Sequence, residues 1–109
     1  MICRIWRGRT TAENAPRYEA IVRGEVIPAI EARCIRGFLT IDLMRRELPD
    51  GGNEFATIMW FADLASVRAF MGGDYAMAHV PRSAQAVLSS FDERADHYEV
   101  IDRRAQSPA

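Results

Sequence analysis

The side chains in this 109-residue sequence best suited to acid–base chemistry are two histidines, His79 and His97, and the phenol of Tyr75. His79 closes the run Asp74-Tyr75-Ala76-Met77-Ala78-His79 and is followed by Val80-Pro81. Imidazole titrates near neutral pH, so His79 is a candidate general base. Its plainer reading is a histidine that caps helix carbonyls or is simply solvated. Tyr75 can hydrogen-bond a substrate oxygen at a pocket mouth, or can act only as an aromatic lid over the core. Trp6, Trp60, Phe61 and Phe70 can line a slot for a planar molecule, or belong to the core as most such aromatics do. Arg7 can meet an anion, or pair with a carboxylate such as Glu99 at the sheet edge. His97, next but one to Glu99, reads as a structural or inter-subunit contact. Cys3 and Cys34 lie far from any CxxC or Cys/His spacing, so both read as reduced thiols and no metal site is expected. No acid/base pair, activated nucleophile, phosphate loop or metal set stands at a diagnostic spacing.

The elements that must position these groups are legible around residues 54–81. Residues 54–62 are nearly all apolar, as in a strand covered on both faces. Asp63 is an N-cap for the helix that follows, whose stripe is Leu64, Val67, Phe70 and Met71. Gly72-Gly73 ends that helix, because glycine accepts the left-handed cap conformation. A further short turn leads to His79, and Pro81 stops it. This strand-to-helix crossover with a polar, aromatic exit is the expected wall of a pocket.

Upstream, residues 2–8 alternate as a first strand, with Ile2, Arg4 and Trp6 on one side and Cys3, Ile5 and Arg7 on the other. Tyr18, Ile21, Val22, Val26, Ala29 and Ile30 trace a helical stripe. Pro28 lacks an amide, which predicts two helical pieces, about 12–25 and 28–34. A second strand is expected over 36–47, and Pro49-Asp50-Gly51-Gly52-Asn53 turns it back as a hairpin. Ser83 is read as the cap of a short helix over 84–91, and 95–103 as the last strand. One domain over 1–103 and a disordered tail over 104–109 complete the chain.

The order is β-α-β-β-α-β, an α+β ferredoxin-like arrangement with a four-stranded antiparallel sheet and helices on one face. The other face, with apolar strands of its own, calls for a partner, and a homodimer joined sheet to sheet about a two-fold axis is expected. A formal net charge of −1 with scattered arginines gives no pull toward nucleic acid. No apolar run approaches the ~18–20 residues that span a bilayer, and the first ten residues lack a signal-peptide core. No membrane partner and a cytoplasmic location are therefore expected.

The segments "RIWRGRT", "FADLASVRAFMGGDY" and "DERADHYEVI", in this order and with these gaps, resemble the antibiotic biosynthesis monooxygenase-like family of the dimeric α/β-barrel superfamily. The resemblance runs over about residues 1–101 and is one of cores, caps and turns. It implies the ferredoxin-like fold and the dimer. It also implies one of several activities: oxidation of phenols to quinones by O2 without a cofactor, binding or breakdown of haem, or no catalysis at all. His79 lies near the haem-ligand histidine of the haem-degrading members, Phe70 stands where they have a tryptophan, and the first strand has no asparagine where they have one. The leading expectation is a cofactor-independent monooxygenase acting on a planar aromatic or phenolic molecule. In it His79 and Tyr75 do the chemistry while Phe61, Phe70, Trp60 and Arg7 bind the substrate. Haem held by His79 is the second reading, and a non-catalytic dimeric protein the third.

Overall fold

A computed structural model describes residues 1–108, and its first strand, β1 (Ile2–Thr10), runs through the middle of an antiparallel sheet. On one side β1 pairs with β3 (Asn53–Phe61), from Ile2 opposite Phe61 to Thr10 opposite Asn53, and β3 pairs outward with β2 (Phe38–Glu47). The other side of β1 takes two short strands, β4 (Ser90–Phe91) and β5 (Asp96–Glu99). The order β2-β3-β1-β4, with β5 also on β1, is that of the α+β ferredoxin-like fold.

The last strand, β5, is shorter than the run expected over 95–103, and β4 lies where the helix expected over 84–91 would end. Asp92 N–H still donates to the Arg7 carbonyl of β1 at 3.0 Å, but residues 93–95 leave the sheet because their backbone bonds elsewhere. Ala78 N–H donates to the Glu93 carbonyl at 2.9 Å, Ala95 N–H to the Ala76 carbonyl at 2.7 Å, and Trp6 Nε1 to the Asp92 carbonyl at 2.7 Å. The connection that carries His79 is thus stitched to the break between β4 and β5. Residues 101–108 have no regular structure and are exposed, with the Arg103 guanidinium 4.9 Å from the Trp60 ring centroid. The remaining residue of the expected tail, 109, lies outside the described residues.

The first helical region is one continuous run rather than two pieces. α1 (Ala15–Ile21) passes into a π-helical segment (Val22–Val26) and then into α2 (Ile27–Ala32). Ile27 N–H reaches back five residues to the Val22 carbonyl. The wider π turn lets the helix pass Pro28, which has no amide and would crowd a carbonyl one normal turn back. α3 (Leu64–Met71) is capped as read: Asp63 Oδ1 accepts from Ser66 N–H at 2.8 Å and from Ser66 Oγ at 2.7 Å. The Leu48–Gly52 hairpin also forms as read, with Gly51 at φ +88°. The short helix after Pro81 does not. It spans only Arg82–Gln85 (α4) with Pro81 at its start, and Ser83 Oγ donates to Glu25 instead of capping.

The helices cover one face of the sheet. Tyr18 packs on Phe55 at 4.8 Å between ring centroids, and Phe61 lies between Phe38 at 5.6 Å and Phe70 at 6.0 Å. Phe55, Phe61 and Val67 are fully buried, each removing an apolar side chain from water for about 1.5–3 kcal/mol. The opposite, open face presents Ile5, Ile58 and Trp60, all half-buried, beside exposed Met44 and Tyr98. Charged neighbours border them, with Arg9 and Arg46 both on Glu54. No helix among the described residues is long and apolar enough to cross a membrane.

Candidate functional site

Between the sheet and the helices lies a narrow cavity, with about 40 Å³ in which the centre of a water-sized sphere fits. Strand alternation sets its floor: Arg4 and Trp6 of β1, Ile41 of β2, and Thr57 and Met59 of β3 share the inner face. The helical run supplies Tyr18, Val22, Val26, Ile27 and Ile30, so the π turn at Val22–Val26 shapes one wall directly. Phe70 from α3 and His79-Val80-Pro81 from the connection close the other side.

Each wall residue has a local reason to be where it is. Trp6 is anchored by its bond to the Asp92 carbonyl, and its ring lies so close over Gly8 that a Cβ there would come within 2.8 Å of it. Phe70 is pinned between two guanidinium groups, Arg4 at 5.4 Å and Arg33 at 5.3 Å from its centroid. Arg33 in turn donates to the carbonyls of Ala69 and Phe70 at the end of α3. His79 packs its ring 5.3 Å from that of Phe70 while keeping one side in solvent, so it stands at the cavity mouth.

The electrostatics of this pocket are unusual. Arg4 is 3% exposed, and burial pushes its pKa down to about 10. Burial also lowers the pKa of His79, helped by Arg33 and Arg4, and that of His97, helped by Arg4 and opposed by Asp96 and a backbone bond to Ala95. Burial pushes the Tyr18 phenol up to about 12. At neutral pH the pocket lining therefore holds one neutral imidazole, that of His79, a neutral phenol and one buried positive charge. A histidine that is harder to protonate in the folded chain binds fewer protons there than when unfolded, so stability falls as pH drops below about 6.5. Thermal melts at about pH 7.5 and pH 5.5 should show a larger loss for the wild type than for a His79→Gln/His97→Gln double variant. Equal losses would mean that other groups govern this window.

The residues singled out from the sequence divide between two faces. His79 and Phe70 line the cavity. Tyr75 stands beside it, edge-on to His97 at 5.1 Å and under the Arg68 guanidinium at 5.7 Å. Phe61 lies behind Phe70 in the core. Trp60 and Arg7 are on the open face instead, because β1 and β3 alternate and both residues fall in the outward register. Trp60 Nε1 donates to Asp42 at 3.4 Å, and Arg7 pairs with Asp96 at 3.5 Å. Neither can touch a molecule in this cavity. Arg4 is the residue the reading passed over, and His97 was read only as a structural or inter-subunit contact. Arg4 was already aligned with Trp6 by the two-residue period, and that was the available signal. His97 sits opposite Arg4 in the β1–β5 register, a pairing that depends on where the last strand breaks.

Haem would use His79 as its ligand, and the surroundings do not suit it. The imidazole is packed against Phe70, and the enclosed space is far smaller than a macrocycle. No step through haem follows from this site.

Searches against protein-family models and against curated proteins give no match. Solved structures do match across nearly the whole chain. A candidate antibiotic biosynthesis monooxygenase from Deinococcus radiodurans aligns with a TM-score of 0.59 at 15% identity, over 99% of this chain and 100% of that one. A second from Bacillus cereus gives 0.56 at 10% identity, over 96% and 97%. A Streptomyces coelicolor monooxygenase in complex with nanaomycin D gives 0.54 at 18% identity, over 99% and 92%. At these identities the likeness is one of fold.

Proposed function

We propose that this chain, which has the fold of the antibiotic biosynthesis monooxygenase-like proteins, is a cofactor-independent monooxygenase of a planar phenolic small molecule. The observation that carries the reading is the cavity: apolar, walled by Trp6 and Phe70, with a neutral imidazole at its mouth. The nanaomycin D in the Streptomyces relative supports a small organic ligand for this fold.

The chemistry asks little of the protein. An electron-rich phenol that loses its proton in a dry pocket can pass electrons to O2. A phenolic O–H and a ring C–H become two quinone carbonyls, one oxygen atom enters the ring carbon and the other leaves as water. The substrate supplies all four electrons, so no external reductant enters. His79 takes the phenolic proton, a task suited to a base whose neutral form is favoured. Trp6 and Phe70 hold the ring flat, and the helical wall keeps water out. Admitting a ring into so narrow a space requires residues 79–81, beyond the part of the connection bonded to 93–95, to move outward.

The test is oxygen uptake over a panel of naphthols and anthrols, with metal chelator present. Uptake by the wild type that falls about 10²-fold or more in His79→Ala supports the assignment. A saturable Soret shift with haemin that is lost in the same variant would replace it with the haem reading. A second copy of the chain is the occupant we propose for the open face, where Ile5, Ile58, Met44 and Tyr98 lie. A sedimentation mass of a single chain would remove that copy.

A further inference from the structure

Arg4 differs from the arginines that hold carboxylates. Arg7, Arg9, Arg45, Arg46 and Arg94 each pair with one, all at the surface or half-buried. Arg4 is buried on the inner face and lines the cavity. Its Nη2 donates to the Met77 carbonyl at 2.7 Å and its plane lies against Phe70, and neither contact carries a negative charge. Its Nη1 is buried with no hydrogen-bond partner among the described residues. Nothing beside it compensates. His79 and His97 are bases, and Arg33 beyond Phe70 adds a second positive charge. Asp96, whose strand neighbours Arg4, faces the other way and is held by Arg7. His97, directly across the strand pair from Arg4, also has a buried Nε2 without a partner.

A guanidinium withdrawn from water without a counter-charge is costly, and an arriving anion that supplies one gains a charge-assisted hydrogen bond in a dry site. We propose that the cavity takes its ligand as an anion, an oxyanion borne on a planar aromatic ring, with the oxygen seated against Arg4 Nη1. This rests on the pocket assignment above and narrows it. The aromatic body lies along Trp6 and Phe70, and the charged end is a phenolate or an aryl carboxylate. For a phenol, Arg4 also stabilises the deprotonated form on which electron transfer to O2 depends, so it is a positioning and charge-balancing residue of that step.

The test uses three probes on one ring system, 2-naphthoate, 2-naphthol and 2-methylnaphthalene, titrated at neutral pH by fluorescence quenching and by absorbance. The wild type is expected to bind 2-naphthoate, or 2-naphthol with the absorbance of its anion, at least about tenfold more tightly than 2-methylnaphthalene. Binding as naphtholate identifies a phenolate site, and binding of naphthoate alone a carboxylate site. Arg4→Met is expected to lose that preference while holding 2-methylnaphthalene within about twofold of wild type. Arg9→Met, on the same strand but the opposite face, should bind like wild type. Arg4→Lys keeps the charge without the planar fork and should fall between. If Arg4→Met does not fold by circular dichroism, the wild-type preference and Arg4→Lys decide the matter. Equal affinity for the apolar probe and the anions, or an Arg4→Met that keeps the preference, overturns the anion inference and leaves the pocket standing. No binding of any probe overturns both.

Discussion

Phe61→Ala is expected to cost about 3–5 kcal/mol of unfolding free energy, read as a fall in the denaturation midpoint with an unchanged slope. Phe61 has no exposed surface, ends β3 opposite Ile2 of β1, and bridges Phe38 to Phe70. Removing its ring leaves a void at the junction of three elements, β2, β3 and α3, none of which can collapse into it without breaking ladder bonds. The loss would also free Phe70, and with it one wall of the cavity. A cost below about 1 kcal/mol would mean that this junction repacks freely and that the wall is softer than its contacts imply.

Gly37→Ala is expected to cost about 2–4 kcal/mol, the sum of a left-handed backbone penalty and a damaged helix cap. Gly37 has φ +86°, and a Cβ there would lie 1.9 Å from Ser66 Oγ and 2.8 Å from Ser66 Cβ. Ser66 is buried and donates both its N–H and its hydroxyl to Asp63, so it cannot move aside without uncapping α3. The Gly37 carbonyl meanwhile accepts from Ala62 N–H at 2.7 Å, which ties the start of β2 to the end of β3. Combining Gly37→Ala with Ser66→Gly removes the collision but not the φ penalty. The double variant should therefore be less destabilised than the two single changes added together. Strict additivity would show that the two residues do not clash.

The parts of the fold governed by local rules could be read from the sequence. The β3–α3 unit follows from an apolar run, an Asp63 cap and Gly72 at φ +84°, and each does what its chemistry requires. The hairpin at 49–52 likewise follows from turn residues. The misses arose where long-range bonds overrode local preference. Pro28 predicts a break, yet packing of Val22, Val26, Ile27 and Ile30 toward the sheet holds the helix together through a π turn. Residues 93–95 lead straight into the last strand, yet they bond to 76–78, more than a dozen residues earlier. The site was legible in the same measure. His79 and Phe70 were visible as types at a helix exit. The sides taken by Trp60 and Arg7 depend on register, and one residue of shift reverses a face. Arg4 was hidden because an arginine on a strand ordinarily reaches water, and only the connection at 76–78 and the cover of Phe70 show that this one does not.

The central claim is that the bound phenol is itself the reductant for O2. It is tested most directly by a single turnover under isotopically heavy O2, with chelator and no added cofactor, followed by mass spectrometry of product and water. One heavy atom in the quinone and one in water, with one O2 consumed per quinone formed, is the expected result. A quinone whose new oxygen is light, or a turnover that proceeds only when a reductant, metal or haem is supplied, would contradict it.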